Sequence, residues 1–203
     1  ALGGLSTATG ATIGLQALGI SGTSPIAISD TTCVGPTAGL YATNFAGASP
    51  LALTDVVAES PAAGKGIFVY QWAAGGNVNI ADTSATHPNQ GVLIDDVTAV
   101  VVALNNVTAT ATAAGGSGVK LNNLGAAAAV TLTDVTATGT AHRGLWALTV
   151  NAATSINVAT STISGATEGA FFDALTNTPV SFTGSAVTSG ASNTAVVLKG
   201  STD

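Results

Sequence analysis

The fold of this chain is decided by a repeat, and its clearest copy is Val130-Thr131-Leu132-Thr133-Asp134-Val135-Thr136-Ala137-Thr138-Gly139, followed by Arg143-Gly144-Leu145-Trp146-Ala147-Leu148-Thr149-Val150. The first half of this unit recurs at 26–30, 51–55, 78–82, 102–106, 156–160 and 180–184. The second half follows Thr194 in the last copy, and elsewhere it follows glycines that are 25 to 27 residues apart: Gly39, Gly66, Gly91, Gly118, Gly144 and Gly169. Apolar residues lie two apart inside each unit, whereas helical repeats would place them three and four apart, so the pattern indicates a β-solenoid.

Alternation within each unit separates inward from outward side chains. In the copy at 130–150 the inward pairs are Val130/Leu132, Val135/Ala137 and Leu145/Ala147. Three such strands per unit predict a three-walled coil with stacked apolar columns. We therefore predict an all-β, single-domain parallel β-helix of about seven to eight coils, each with roughly 24–28 residues and three strands. We expect residues 1–25 to form an irregular opening turn and residues 26–203 to form the β-helix.

Units such as Gly144-Leu145-Trp146-Ala147, Ile156-Asn157-Val158 and Ile163-Ser164-Gly165 resemble the repeats of right-handed parallel β-helices. That group includes pectate-lyase-like enzymes, phage tailspikes and autotransporter passenger domains. The resemblance covers nearly the whole chain and implies a right-handed coil. It concerns architecture only, and a fold does not by itself define a function.

Composition excludes several classes of partner. Charged residues are 7% of the 203-residue chain, the net charge is −6, and the basic residues number four: Lys65, Lys120, Arg143 and Lys199. Binding to nucleic acid or to an anionic membrane surface needs clustered Lys and Arg, so we expect neither partner. No apolar run is long enough to predict a transmembrane segment. The chain starts at Ala1 and contains no Met. We therefore expect a processed secreted protein or a cut fragment, located outside the cell or at the cell surface.

The outward face of the third strands, here called the aromatic wall, is the first candidate binding surface. Soluble monomers rarely expose an apolar stripe of this length. We predict an interface with another copy or another protein; a glycan platform is the second interpretation, and loops such as 87–90 folded over the wall are the third. Lys120, Asp95, Asn122 and Asp173 interrupt the wall, whose apolar members are Tyr41, Phe68, Tyr70, Leu93, Trp146, Leu148, Phe171, Val196 and Leu198.

The outward face of the second strands, here called the hydroxyl wall, is the alternative candidate. Regularly spaced hydroxyl and methyl groups can hold ordered water, as ice-binding solenoids do, although Thr is also simply a favoured residue on exposed strands. Val57, Glu59 and Ala186 break the regularity. The hydroxyl-bearing members are Ser84, Thr86, Thr108, Thr110, Thr136, Thr138, Thr162, Ser164 and Thr188.

The best constellation for catalysis is Asp95, Asp96, Lys120, His142 and Arg143. Glycoside hydrolysis needs two carboxyl groups at a defined separation. The β-helical hydrolases that the chain resembles add Asp, His and Arg-Lys motifs on neighbouring turns, and these motifs are missing here. We therefore predict that the chain is not an enzyme.

A column of Asp and Asn at one turn of successive coils could hold Ca²⁺, or its members could serve as turn residues. The column is Asp30, Asp55, Asp82, Asn106 and Asp134. We favour the turn role and predict neither a metal nor a cofactor. Taken together, the patterns predict an extracellular structural or adhesive solenoid, either a subunit of a surface assembly or a domain of the adhesin or autotransporter-passenger type. The alternative is a ligand-binding solenoid, and a polysaccharide-degrading enzyme ranks behind both.

Overall fold

The computed structural model describes residues 6–19, 23–45, 49–62, 64–72, 76–98, 101–125, 129–151 and 155–200. These residues form one domain, a parallel β-solenoid of about seven turns, which confirms the predicted fold class. No helix within these ranges has the length and apolar character needed to cross a bilayer.

Two parallel sheets wrap the coil. The first and second predicted strands of each unit share an 11-stranded sheet, and the third strands form an 8-stranded sheet. The 11-stranded sheet contains β1 (Ser6–Thr9), β3 (Ile26–Val34), β5 (Leu51–Glu59), β7 (Val78–His87), β9 (Val101–Ala111), β11 (Ala129–Thr133), β12 (Thr136–Gly139), β14 (Ser155–Ala159), β15 (Thr162–Gly165), β17 (Val180–Thr183) and β18 (Ala186–Ser189). The 8-stranded sheet contains β2 (Ile13–Leu18), β4 (Ala38–Phe45), β6 (Lys65–Trp72), β8 (Gln90–Val97), β10 (Ser117–Leu124), β13 (Arg143–Val150), β16 (Ala170–Leu175) and β19 (Val196–Lys199).

A bend inside the 11-stranded sheet separates its two walls. In β3, β5, β7 and β9 the first and second predicted strands are one continuous bent strand, and they separate only from β11 onward. The bend lies at a column of residues with φ between 48° and 60°: Asp30, Asp55, Asp82, Asn106, Asp134, Thr160 and Gly184. Asp and Asn tolerate this left-handed conformation better than other side chains. Their repetition in the sequence therefore marks the bend.

Buried hydroxyl groups form hydrogen bonds with backbone groups beside this bend. The side chains of Thr31, Thr83 and Ser161 donate to the carbonyl two residues earlier, at 2.7, 2.6 and 2.7 Å. Ser161 Oγ also accepts the backbone N–H of Val135 at 3.0 Å. Thr83 Oγ1 accepts the backbone N–H of Val56 at 3.4 Å, so Ser161 and Thr83 supply partners for buried backbone donors where the bend interrupts strand pairing.

The core consists of stacked apolar columns, as the alternation predicts. Leu51, Leu53, Val130, Leu132 and Leu145 are all fully buried. Each lies directly above its counterpart in the next coil because the strands pair in register, for example Val130 with Ile156 and Leu132 with Val158. A single hydrophobic core therefore runs along the axis of the rod.

The recurrent glycine closes the corner between the two sheets. A Cβ built on Gly66 would lie 2.5 Å from the carbonyl oxygen of Gly91, and one built on Gly144 would lie 2.7 Å from the backbone nitrogen of Ser164. Real Cβ atoms do not approach backbone so closely. The recurrent glycine of the sequence therefore lies where each strand of the 8-stranded sheet begins, close against the backbone of the second predicted strands.

The ends of the rod depart from the predicted register. Within 1–25, strands β1 and β2 already pair in parallel with β3 and β4, so residues 6–18 follow the regular coil. In the last strand, Val196 pairs with the inward Ala170 and Leu198 with the inward Phe172. The prediction that Val196 and Leu198 point outward is wrong by one residue, because Ala195 rather than Thr194 takes the place of the glycine. They are 38% and 64% exposed because no described coil stacks on them.

Candidate interaction surfaces

The aromatic wall is built by two columns of outward side chains on the 8-stranded sheet. In-register pairing places Tyr41, Phe68, Leu93, Lys120, Trp146 and Phe171 in one column. The second column holds Tyr70, Asp95, Asn122, Leu148 and Asp173. The structure therefore brings the predicted members together, apart from Val196 and Leu198.

Aromatic rings touch along this wall. The rings of Tyr41 and Phe68 stack across adjacent coils with centroids 4.9 Å apart, and Phe68 also stacks on Tyr70 at 5.5 Å. The ring of His142 meets Trp146 edge-on at 5.7 Å. Such pairs hold each ring in a fixed orientation.

Basic side chains cover the rings, a feature that the sequence did not predict. Lys65 Nζ lies 4.3 Å from the centroid of the Phe68 ring, and Lys120 Nζ lies 4.2 Å from that of Trp146. The Arg143 guanidinium lies 4.3 Å from the Trp146 centroid and 3.9 Å from the Phe171 centroid. These are cation–π distances.

The aromatic wall is less exposed to solvent than the sequence predicts. Leu93 and Phe171, predicted to be exposed, are only 6% and 9% exposed. The side chains of Tyr41, Phe68 and Trp146 are half-buried. Cations in contact with the rings, and the carboxylates of Asp95 and Asp173 in the second column, make the wall a mixed charged and aromatic surface rather than a bare apolar one.

One ion pair, between Arg143 and Glu168, fixes side chains at the C-terminal end of the aromatic wall. Arg143 Nε donates to Glu168 Oε2 at 2.9 Å, and the Thr167 hydroxyl donates to the same oxygen at 2.7 Å. Burial acts to raise the pKa of Glu168, but the hydrogen bonds from Thr167 and Arg143 and the charges of Arg143 and His142 outweigh it and lower that pKa. Glu168 was missed from the sequence, although it lies one coil after Arg143 on the same side.

The ammonium of Lys120 has both signs of charge near it. Burial is the main cause that lowers its pKa, Asp95 opposes the shift, and the like charges of Arg143 and Lys65 add to it. Burial and the Arg143 charge likewise lower the pKa of His142, against the charge of Glu168. A basic group in such a setting is stabilised by an additional anion.

The hydroxyl wall is a second regular surface. Its two columns run in register through eight rungs, beginning with Thr7 and Thr9 on β1. Val34, Val57, Glu59 and Ala186 interrupt them. In four successive coils both outward positions carry a hydroxyl group: Ser84/Thr86, Thr108/Thr110, Thr136/Thr138 and Thr162/Ser164. Rungs are about 4.8 Å apart between coils and about 6.6 Å apart along a strand.

The bend presents a third feature, here called the acidic edge: Asp30, Asp55, Asp82, Asn106 and Asp134. All five side chains are exposed. The Asn106 amide donates to Asp82 Oδ1 at 2.7 Å across one coil. Among the described residues no group of three His, Cys, Asp or Glu side chains is placed to hold a metal ion. The left-handed backbone accounts for the residue types.

The candidate catalytic residues are engaged with neighbours. Asn122 donates to Asp95 Oδ1 at 2.7 Å, and Asn123 donates to Asp96 Oδ1 at 2.9 Å. Asp95 lies on the aromatic wall, whereas Asp96 has a φ of 56° and lies at a left-handed bend near the end of β8. The two carboxylates therefore stand on different parts of the coil.

Comparison of the chain with protein families, with curated proteins and with solved structures found no match. The class of the protein is therefore defined by its own architecture, a parallel β-solenoid with an aromatic wall that carries charges of both signs, a hydroxyl wall and an acidic edge. No relative supports a pectate-lyase-like or an autotransporter type.

Proposed function

We propose that this chain is an extracellular structural or adhesive solenoid, of the autotransporter-passenger type, whose aromatic wall contacts partners. The observation that carries the proposal is the position of the basic residues. Lys65, Lys120, Arg143 and Lys199 are all the basic residues of the chain, and all four lie in strands of the 8-stranded sheet. Arg and aromatic side chains are enriched at protein interfaces.

The outward face of the first strands, here called the first wall, supports this assignment because its side chains are small. The outward positions of the first wall hold Ala27, Ala52, Asn79, Ala103 and Thr131, so a coil of this fold needs no large side chain there. The aromatic wall nevertheless carries four contacts between a cation and a ring. Since outward rings add nothing to the core, binding is the simplest use for them. The proposal assigns no catalytic role.

Sedimentation velocity over a wide range of protein concentration tests this function. We expect the protein to self-associate. A double variant with Phe68→Thr and Trp146→Thr should associate more weakly, because Thr suits an outward strand position but cannot stack with a cation. Asn157→Thr, on the first wall, is the matched control. A protein that stays monomeric at every concentration and binds neither neutral nor acidic polysaccharide would contradict the proposal.

A second candidate function is binding to ice or to another ordered aqueous surface through the hydroxyl wall. The unbroken array of hydroxyls over four coils favours it. Ice-growth arrest below the melting point should then be lost on Thr136→Tyr, which disrupts the flat array, and kept on Asn157→Tyr, which alters the first wall. A protein with no effect on ice growth would remove this candidate.

A further inference from the structure

The two end coils of the rod expose apolar positions that the other coils bury. Val196 and Leu198 on β19 pair with the buried residues of β16 and so belong to inward columns, yet they are 38% and 64% exposed. At the other end, Leu15 and Ala17 on β2 also belong to inward columns and are only partly buried. Exposed apolar surface of this kind marks a candidate interface, because it is stabilised by leaving water.

The strands of the end coils also have one edge without a partner strand among the described residues. β1 pairs only with β3, and β2 pairs only with β4. At the other end, β17, β18 and β19 pair only with β14, β15 and β16. Such edges present backbone donors and acceptors to another strand, and many proteins block them with proline or an inward charge. None of these five end strands contains proline or an inward charge.

The two ends of the 8-stranded sheet belong to the same columns. The inward column that begins with Leu15 runs in register to Val196, and the column that begins with Ala17 runs in register to Leu198. A strand β2 laid on the open edge of a strand β19 would therefore place apolar residues on apolar residues in both inward columns.

The 11-stranded sheet shows the same match. Ala8 on β1 and Val187 on β18 are the first and last members of one inward column. Beside them, Thr9 and Thr188 are the first and last members of one column of the hydroxyl wall. A strand β1 laid on a strand β18 would continue both columns.

From this match we infer that the last coil of one copy binds the first coil of a second copy end to end, with β1 on β18 and β2 on β19. The strands pair in parallel and in register, as they do between neighbouring coils of one chain. The contact is separate from the aromatic wall and does not rest on the proposed function. It joins two different surfaces and leaves one first coil and one last coil open, so copies add into a chain that is one rod wide.

The charge of the protein opposes this contact only weakly. Copies that each carry a net charge of −6 repel one another. The four strands that meet in the joint nevertheless contain a single charged residue, Lys199, which points outward. The joint therefore buries backbone edges and apolar side chains without burying a charge.

Charges placed on the inward side of each end coil test the inference, with the full chain studied by sedimentation velocity. Leu198→Lys blocks the last coil and Ala17→Glu blocks the first coil, because either change would bury a charge in the joint. Each variant alone should associate at least about tenfold more weakly than the unaltered protein. An equal mixture of the two should form dimers and nothing larger. Its only intact pair of ends is the last coil of the Ala17→Glu variant and the first coil of the Leu198→Lys variant.

A matched control separates the joint from a general effect of charge. Ser181→Lys adds the same charge to the last coil, but on the outward side of the first wall, and should leave end-to-end association unchanged. Far-ultraviolet circular dichroism and thermal melting confirm that the variants fold. Unaltered protein that stays monomeric, blocked variants that still form chains, or a mixture that stays monomeric would each overturn the inference.

A further variant distinguishes this contact from the proposed function. End-to-end chains that are one rod wide in electron micrographs should persist when Phe68→Thr and Trp146→Thr are combined, because neither residue lies at the joint. Loss of all association in that double variant would overturn the inference in favour of the aromatic wall. Chains that persist there and disappear with Leu198→Lys would support the joint, whatever partner the aromatic wall binds.

Discussion

A Cβ on Gly91 would lie 2.7 Å from the backbone nitrogen of Thr110, so the start of β8 passes against β9 with no room for a side chain. The same Cβ would lie 2.7 Å from the carbonyl oxygen of Gly118 in the next coil. We expect Gly91→Ala to lower the free energy of unfolding by about 3 kcal/mol or more, because backbone on both sides cannot move independently.

Urea denaturation monitored by circular dichroism measures this effect. Gly115→Ala is the control, since a Cβ there meets nothing within 4 Å although φ is +83°. We expect the control to cost about 1 kcal/mol from the backbone conformation alone. Equal losses in the two variants would show that the close approach at Gly91 is not limiting.

Thr160 occupies the bend column with a φ of 48° although it is β-branched. Asn106 holds the same conformation two coils earlier with a side chain that suits it. Thr160→Asn should therefore raise the free energy of unfolding by up to about 1 kcal/mol. Thr162→Asn, in the adjoining strand, should lower it, because Asn is disfavoured in strands. A neutral or destabilising Thr160→Asn would argue against strain at this position.

The amide of Asn106 interrupts the carboxylates of the acidic edge and donates to Asp82. Asn106→Asp should remove that hydrogen bond and place like charges on five consecutive coils, from Asp30 to Asp134. We expect a loss of about 0.5–1 kcal/mol in low salt that shrinks as salt is added. Asn106→Ala, which removes the bond without adding charge, should show no comparable salt dependence. Thermal melting in two salt concentrations measures both variants.

His87 gives the fold a dependence on pH. Its ring is 1% exposed, Nδ1 accepts the backbone N–H of Asn89 at 2.9 Å, and Nε2 lies 2.8 Å from the backbone nitrogen of Gly64. The pKa of His87 is lowered from 6.5 to about 4, mainly by burial. A hydrogen bond with the Ala62 backbone acts to raise this pKa, and the positive charge of Lys65 lowers it further. The folded protein thus holds this ring neutral where the unfolded chain would already be protonated.

The sign of the effect follows from that difference. Between pH 6.5 and about 4 the unfolded chain binds more protons at this site than the folded protein, so stability falls as pH falls through this window. The loss should reach about 2 kcal/mol by a pH of about 5. His87→Gln should be less stable at neutral pH but should lack this part of the slope in urea titrations. An unchanged slope would assign the pH dependence to other groups.

The core could be predicted from sequence because a single physical rule determines it. Apolar residues two apart, such as Leu51 and Leu53, face inward in every coil that has neighbours on both sides. The rule failed at Val196 and Leu198, where no following coil fixes the register and alternation alone fits either face. The continuous bent strands also escaped prediction, because Asp82 signals a turn without showing whether pairing stops there.

The surfaces were predictable as columns but not as contacts. Spacing alone placed Phe68 and Trp146 on one wall. That Lys65 and Arg143 would lie over those rings depends on the conformations of long side chains, which the alternation of a strand does not specify. The position of Glu168 could have been predicted by moving one coil of about 25 residues along the chain from Arg143. Thr7 could have been predicted in the same way, by moving one coil back from Thr32, with which it pairs.

The hydrogen bonds between successive coils run along the rod, and this has a mechanical consequence. Tension applied to the two termini would load the outermost coil first and peel it from the next, so the coils would yield in sequence. Each coil of about 25 residues would then release roughly 80–90 Å of chain, in place of about 4.8 Å of rod. A rod of this kind would lengthen in steps under load while its remaining coils stay folded.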